Sequence, residues 1–123
     1  MKLKITINDN ALTATLNGSQ ASREFAGLLP LTLQLSDYAG EEKIGDLPAR
    51  LSTADSPVGS AASKGDIMVF LPWGNLAIFY QAHGYVDGLI PLGRLDEPDA
   101  LPLQPSSYPA RFELAAAASL GSD

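Results

Sequence analysis

Residues 67–80 read Ile-Met-Val-Phe-Leu-Pro-Trp-Gly-Asn-Leu-Ala-Ile-Phe-Tyr. Two short apolar runs, Ile67 to Pro72 and Leu76 to Tyr80, flank the turn-forming Trp73-Gly74-Asn75. Aromatic and β-branched side chains fit a pleated surface, and each run is too short for a buried helix of about 10–12 residues. Neither run alternates apolar with polar residues. The segment therefore predicts a β-hairpin covered on both faces.

Working outward, the first residues show the complementary pattern. Lys2, Lys4 and Thr6 alternate with Leu3, Ile5 and Ile7, the period of a half-buried strand. Asn8-Asp9-Asn10 tolerates left-handed backbone angles and so turns the chain. Leu12, Ala14 and Leu16 then alternate with Thr13 and Thr15, which predicts an opening hairpin. Asn17-Gly18-Ser19 breaks the pattern and supplies helix-capping oxygens. Ala21, Phe25, Leu28 and Leu29 form one stripe of a short helix over about residues 20–29, stopped by Pro30. Leu31, Leu33 and Leu35 predict a third strand.

Asp37 to Pro48 reads as a polar, acidic loop, Ala49 to Ser52 as an extended piece, and Thr53 to Gly65 as a Ser/Ala/Gly/Pro-rich surface loop. Leu89 to Leu95 is a strand candidate in which Pro91 requires an edge or a bulge. After proline-rich Glu97 to Pro109, alternating Ala110, Phe112 and Leu114 give the last strand. Residues 116–123 read as a flexible C-terminal tail. Many short strands, one helix and Gly/Pro punctuation predict a mainly β fold, a sandwich or a closed barrel. The barrel is preferred because closure leaves no exposed edge on such apolar strands.

A chain of 123 residues with 46% hydrophobic residues fits one domain, here residues 1–115. With no cysteine, disulfides, thiolate nucleophiles and Cys-containing zinc sites are excluded, and a single histidine, His83, excludes a multi-histidine metal site. No cofactor is expected. Eight Lys and Arg against fourteen Asp and Glu give a net charge of −6, which repels phosphate backbones and anionic lipid. Nucleic-acid and membrane partners are accordingly not expected. The N-terminus lacks the apolar stretch of a secretory signal, and no run reaches the roughly 18 residues of a membrane span; the expected compartment is the cytoplasm.

Nucleophile-elbow, P-loop and dinucleotide-binding glycine motifs are all missing from the sequence. His83, beside Gly84 and Tyr85, reads as a loop residue. The carboxylates Asp37, Glu41, Glu42 and Asp46 match no calcium-loop spacing and surround Lys43, so they read as a solvated acidic loop. The sharpest local signal is Trp73-Gly74-Asn75. A tryptophan at a hairpin tip can line an apolar pocket while the asparagine amide offers donor and acceptor; the plainer reading is a turn asparagine under a surface ring. Arg94 can hold a carboxylate or carbonyl bidentately, or pair with Asp96 or Glu97. Tyr38 can pack its ring on the core with its hydroxyl at a ligand, and Arg50 beside Pro48 can polarise a peptide carbonyl.

At these residues the sequence resembles bacterial and archaeal cyclophilin-like-fold proteins of largely unassigned function. The matching pieces are Leu-Pro-Leu-Thr-Leu at 29–33, Asp-Tyr-Ala-Gly-Glu-Glu-Lys-Ile at 37–44, Pro-Trp-Gly-Asn-Leu-Ala-Ile-Phe-Tyr at 72–80 and Gly-Leu-Ile-Pro-Leu-Gly-Arg-Leu at 88–95. The resemblance implies a closed β-barrel with a helix across an open end. Cyclophilins proper are peptidyl-prolyl isomerases, in which an arginine helps the amide nitrogen lose conjugation and lowers a barrier of about 20 kcal/mol. Arg50 is the one nearby candidate for that arginine, but Leu51-Ser52-Thr53-Ala54 after it lacks the isomerases' Phe-Met pair and glutamine. Two expectations follow. The first is a binding module whose barrel rim, with Tyr38, Trp73, Asn75, Arg94 and Arg50, holds a small molecule or an extended peptide. The alternative is a divergent isomerase using Arg50.

Overall fold

The computed structural model describes residues 1–115; the expected tail, 116–123, lies outside the described residues. The elements are β1 (Lys2–Ile7), β2 (Asn10–Leu16), α1 (Gln20–Gly27), β3 (Leu31–Tyr38), β4 (Glu42–Asp46), β5 (Gly59–Ala62), β6 (Asp66–Phe70), β7 (Asn75–Phe79), β8 (His83–Asp87), β9 (Leu89–Leu95) and β10 (Tyr108–Leu114). Eight strands close a barrel in the order β1-β10-β3-β4-β7-β6-β9-β2, every neighbour antiparallel. The remaining two, β5 and β8, pair with each other as a separate ribbon.

The alternation of the opening hairpin sets the barrel's inside. Leu3, Ile5 and Ile7 on β1 and Leu12, Ala14 and Leu16 on β2 are buried in one cluster with Leu33, Leu35, Leu76, Ile78, Ile90 and Leu92. The turn between these strands places Asn8 and Asp9 at φ 51° and 69°, the left-handed angles that Asn and Asp tolerate. Helix α1 closes one end of the barrel. Its Ser19 cap accepts the Ser22 N–H at 3.2 Å, and its Gln20 N–H donates to Asp55. Phe25, fully buried, meets Phe112 edge-on with centroids 5.9 Å apart. The helix stops at Gly27 rather than near 29, because a residue preceding proline, here Leu29, disfavours helical backbone.

The opposite end, where β3 and β4 meet, is sealed by polar groups. Lys43 is fully buried, its ammonium donating to the Gln104 carbonyl at 2.6 Å and lying 3.3 Å from Asp37 Oδ1. Tyr80 also donates its hydroxyl to Asp37, and the Lys43 ammonium sits 5.7 Å from the ring centres of both Tyr80 and Tyr108. This corrects the reading of 37–48 as a solvated loop. Within it only the turn at Ala39–Glu41 and the exit at Leu47–Pro48 are irregular, and β4 is an inner member of the barrel. The charged lysine had masked a period-two strand. Two further corrections concern 49–65, where Ala49–Ser52 forms no strand and β5 lies within the expected surface loop. Pro91 does sit at a bulge: Ile67 faces Gly93 while Met68 faces Pro91, leaving Leu92 as the extra residue.

A second apolar cluster lies outside the barrel wall. Met68, Ala77, Phe79 and Leu89 are buried together with Ala62 of β5, and Ile44, Phe70 and Val86 pack against them. All five residues of β7 are buried, since Leu76 and Ile78 serve the interior while Asn75, Ala77 and Phe79 face this outer cluster.

Near the seam between β2 and β9, Asp96 accepts from Lys2 at 2.8 Å and from Thr15 at 2.8 Å. The Lys2 contact foremost, with Thr13 and Thr15, lowers its carboxyl from 3.8 to about 2. A depressed carboxylate pKa stabilises the fold above the unfolded value and loses that contribution as pH falls through the folded one. Thermal melts of Asp96→Asn are therefore expected to show a small deficit at neutral pH, under about 1 kcal/mol for a solvent-facing pair. That deficit should vanish toward pH 2, and an Asp96→Asn deficit that persists there would rule the ion pair out.

Candidate functional site

Between the barrel's outer face and the β5–β8 ribbon lies a cleft of about 260 Å³. Its floor comes from Asn75 and Phe79 on β7, Phe70 on β6 and Leu89 on β9; Glu42 of β4 and His83 and Val86 of β8 form further walls. Tyr38 and Trp73 complete the lining.

The aromatic wall is ordered by local chain geometry. After β6 the chain reverses through Leu71–Gly74, with the Gly74 N–H donating to the Phe70 carbonyl at 2.9 Å and Gly74 at φ 65°, a left-handed angle suited to glycine. The reversal presents Trp73 between two rings. Tyr38 and Phe70 each have centroids 5.2 Å from it, at interplanar angles of 81° and 84°. Edge-to-face contacts of this kind add about 0.5–1.5 kcal/mol beyond burial. Trp73 nevertheless remains 53% exposed.

Asn75 opens β7 and is only 3% exposed, yet its Oδ1 has no hydrogen-bond partner among the described residues. Nearly all buried polar atoms are paired, and leaving one unpaired costs about 1–3 kcal/mol. On the adjoining strand, burial foremost pushes the Glu42 carboxyl above its usual value; Glu41 adds to the shift and His83 opposes it. His83 Nδ1 lies 2.9 Å from the Gly84 carbonyl and Nε2 lies 3.6 Å from Glu41 Oε1.

Of the residues singled out in the sequence, Tyr38, Trp73 and Asn75 meet in this cleft. Arg94 and Arg50 do not. The Arg94 guanidinium pairs with Asp66 at 2.8 Å and donates to the Lys64 carbonyl at 3.1 Å, rather than pairing with Asp96 or Glu97. Arg50 is exposed, in the irregular segment after β4. Glu42, Phe70, Phe79, His83, Val86 and Leu89 line the cleft without having been singled out for it. His83, a loop residue by its sequence neighbours, begins strand β8, and Glu42, which the sequence groups with solvated carboxylates, is half-buried on β4. The detectable signal was the two-sided burial of the 76–80 run, which requires a second layer outside the barrel. No group of three or more His, Asp or Glu side chains among the described residues is arranged to hold a metal ion. No helix there is long and apolar enough to cross a membrane.

A closed barrel of eight antiparallel strands with one short capping helix is the architecture the resemblance implied, and the comparisons agree. The sequence profile of the Cyclophilin-like family matches residues 5–113, so the chain belongs to the cyclophilin-like family. The solution structure of the hypothetical protein AF2241 from Archaeoglobus fulgidus has the same fold, with a TM-score of 0.61 at 12% identity. The match covers 94% of this chain and 95% of that one. No curated protein matches the chain significantly by sequence.

Proposed function

We propose that this chain is a binding module whose ligand, a small molecule or one side chain of an extended peptide, occupies the cleft under Trp73. The observation that carries the reading is the unpaired Asn75 Oδ1, an acceptor kept buried among aromatic rings at an energetic cost. A ligand donor placed there recovers that cost. The volume of about 260 Å³ falls just under the roughly 300–1,000 Å³ of drug-sized sites, which favours a ligand of about amino-acid size. The alternative, a proline isomerase acting through Arg50, has less support, because no arginine lines the cleft.

Trp73 is the sole tryptophan, so its fluorescence reports on occupancy. A screen of small aromatic and amide compounds is expected to yield ligands that shift it, with backbone resonances changing at Tyr38, Asn75 and Phe79. Asn75→Leu is expected to weaken such ligands tenfold or more, about 1.4 kcal/mol. The same variant should stabilise the free protein by about 1 kcal/mol, since it removes an unsatisfied buried acceptor. Resonance changes confined to other surfaces, or unchanged affinity in Asn75→Leu, would defeat the assignment. An isomerisation assay comparing wild type with Arg50→Ala tests the alternative; equal rates exclude it.

A further inference from the structure

We propose that the cleft selects an organic ammonium group carried on a short apolar body. This rests on the preceding reading of the cleft as a ligand site and specifies the chemistry it takes. The lining contains no Lys or Arg. Asn75 Oδ1 can only accept, and the ionised Glu42 carboxylate can only accept. Glu42 has no ion pair among the described residues, while its neighbours are already engaged. His83 faces Glu41, and Lys43 points into the barrel toward Gln104 and Asp37. The unpaired Asn75 acceptor and the Glu42 carboxylate thus ask for donors, and His83, the one cation-forming side chain in the lining, is turned toward Glu41 and offsets the Glu42 charge only in part.

The apolar part of the lining agrees. Tyr38, Phe70, Trp73 and Phe79 present π-systems, whose faces attract cations, tryptophan most strongly. The burial that raises the Glu42 pKa is a cost of holding a carboxylate in this place, and a bound cation offsets it. A net charge of −6 further concentrates cations around the protein and repels carboxylate or phosphate ligands. An alkylammonium group can come from a free amine or from a lysine side chain of a peptide; the chemistry recognised is the same.

Three probes of similar shape decide the matter: benzylamine, benzyl alcohol and benzoate, titrated against the intact chain at constant ionic strength and followed by Trp73 fluorescence. Benzylamine is expected to bind at least tenfold more tightly than benzyl alcohol, with benzoate weakest. Glu42→Gln, near-isosteric and on the cleft wall, should erase the preference for the amine over the alcohol. A parallel titration with Nα-acetyl-lysine amide distinguishes the sources, tighter binding than benzylamine favouring a peptide lysine. If benzyl alcohol or benzoate binds as tightly as the amine, the ammonium assignment falls while the cleft remains a ligand site. If none of the probes moves the fluorescence and the wider screen also fails, the site reading falls with it.

Discussion

Lys43→Ala is expected to destabilise the protein by about 3 kcal/mol, chiefly from the cavity left by a fully buried side chain and the lost donor to Gln104. The ion pair adds a smaller share, because Asp37 is part-exposed. The lysine is 0% exposed and holds together four groups at the barrel end remote from α1. Alanine leaves the Asp37 carboxylate without its cation, the Gln104 carbonyl without its donor, and the rings of Tyr80 and Tyr108 facing a void. Replacing both charges, by Lys43→Met with Asp37→Asn, should recover most of the loss. Such a pair keeps the volume and an acceptor for the Tyr80 hydroxyl without burying a charge. Urea unfolding midpoints measure both, and a Lys43→Ala variant within about 1 kcal/mol of wild type would show that the group bears no such role.

The same network sets a pH window. The bond donated to Asp37 foremost pushes the Tyr80 hydroxyl up from 10 to about 12, and burial foremost does the same to Tyr108. Raised folded-state values mean that the stabilisation is complete below pH 10 and lost as pH rises toward 12. Asp37 moves the other way: the Tyr80 bond foremost holds it below 3.8, so its contribution is present above that value and lost in acid. Tyrosinate absorbance should therefore appear together with unfolding in strong alkali, and Lys43→Met with Asp37→Asn should shift that transition.

Gly93→Ala is the second large effect, expected at about 3 kcal/mol, the upper part of the usual range for overpacking. Gly93 sits where β9 meets β2, opposite Leu16. A Cβ added there meets the Thr15 carbonyl oxygen at 2.2 Å and Leu16 Cα at 2.9 Å. Both are backbone atoms of a paired strand, which cannot swing aside as a side-chain tip can. Gly27→Ala is the control, since a Cβ at that helical position has nothing within 4 Å. It should gain about 0.5–1 kcal/mol from helix propensity. Equal stability of the two variants would contradict this account of the seam.

The parts of the fold legible in the sequence were those in which one face of a strand is apolar and the other polar, or both are apolar. Leu3 to Ile7 and Leu12 to Leu16 show the first case, Ile67 to Tyr80 the second. Strand β4 was illegible because its inward-facing residues are Lys43 and Gly45, a charge and a bare backbone, where hydrophobic periodicity has nothing to register. Strands β5 and β8 were missed for a different reason. Gly-Ser-Ala-Ala has little strand preference, and His-Gly-Tyr-Val-Asp is largely exposed, so only pairing across the ribbon makes either a strand. The site divides along the same line. Tyr38, Trp73 and Asn75 stood out in distinctive segments, whereas Glu42 and His83 belong to the two kinds of strand that pattern reading cannot see. Arg94 was singled out for its guanidinium, but its partner Asp66 lies 28 residues away and is brought close only by β6–β9 pairing.

The barrel completes its hydrogen-bonded circuit without β5 and β8, so the appended ribbon can be rewritten while the cylinder keeps its own stability. Exchanging residues 83–87 would then change the cleft walls that His83 and Val86 supply while leaving the strand order of the barrel intact. Gly59 is the fixed point in such grafting, because any larger residue there would collide with the Val86 carbonyl oxygen 2.4 Å away and prise the ribbon apart.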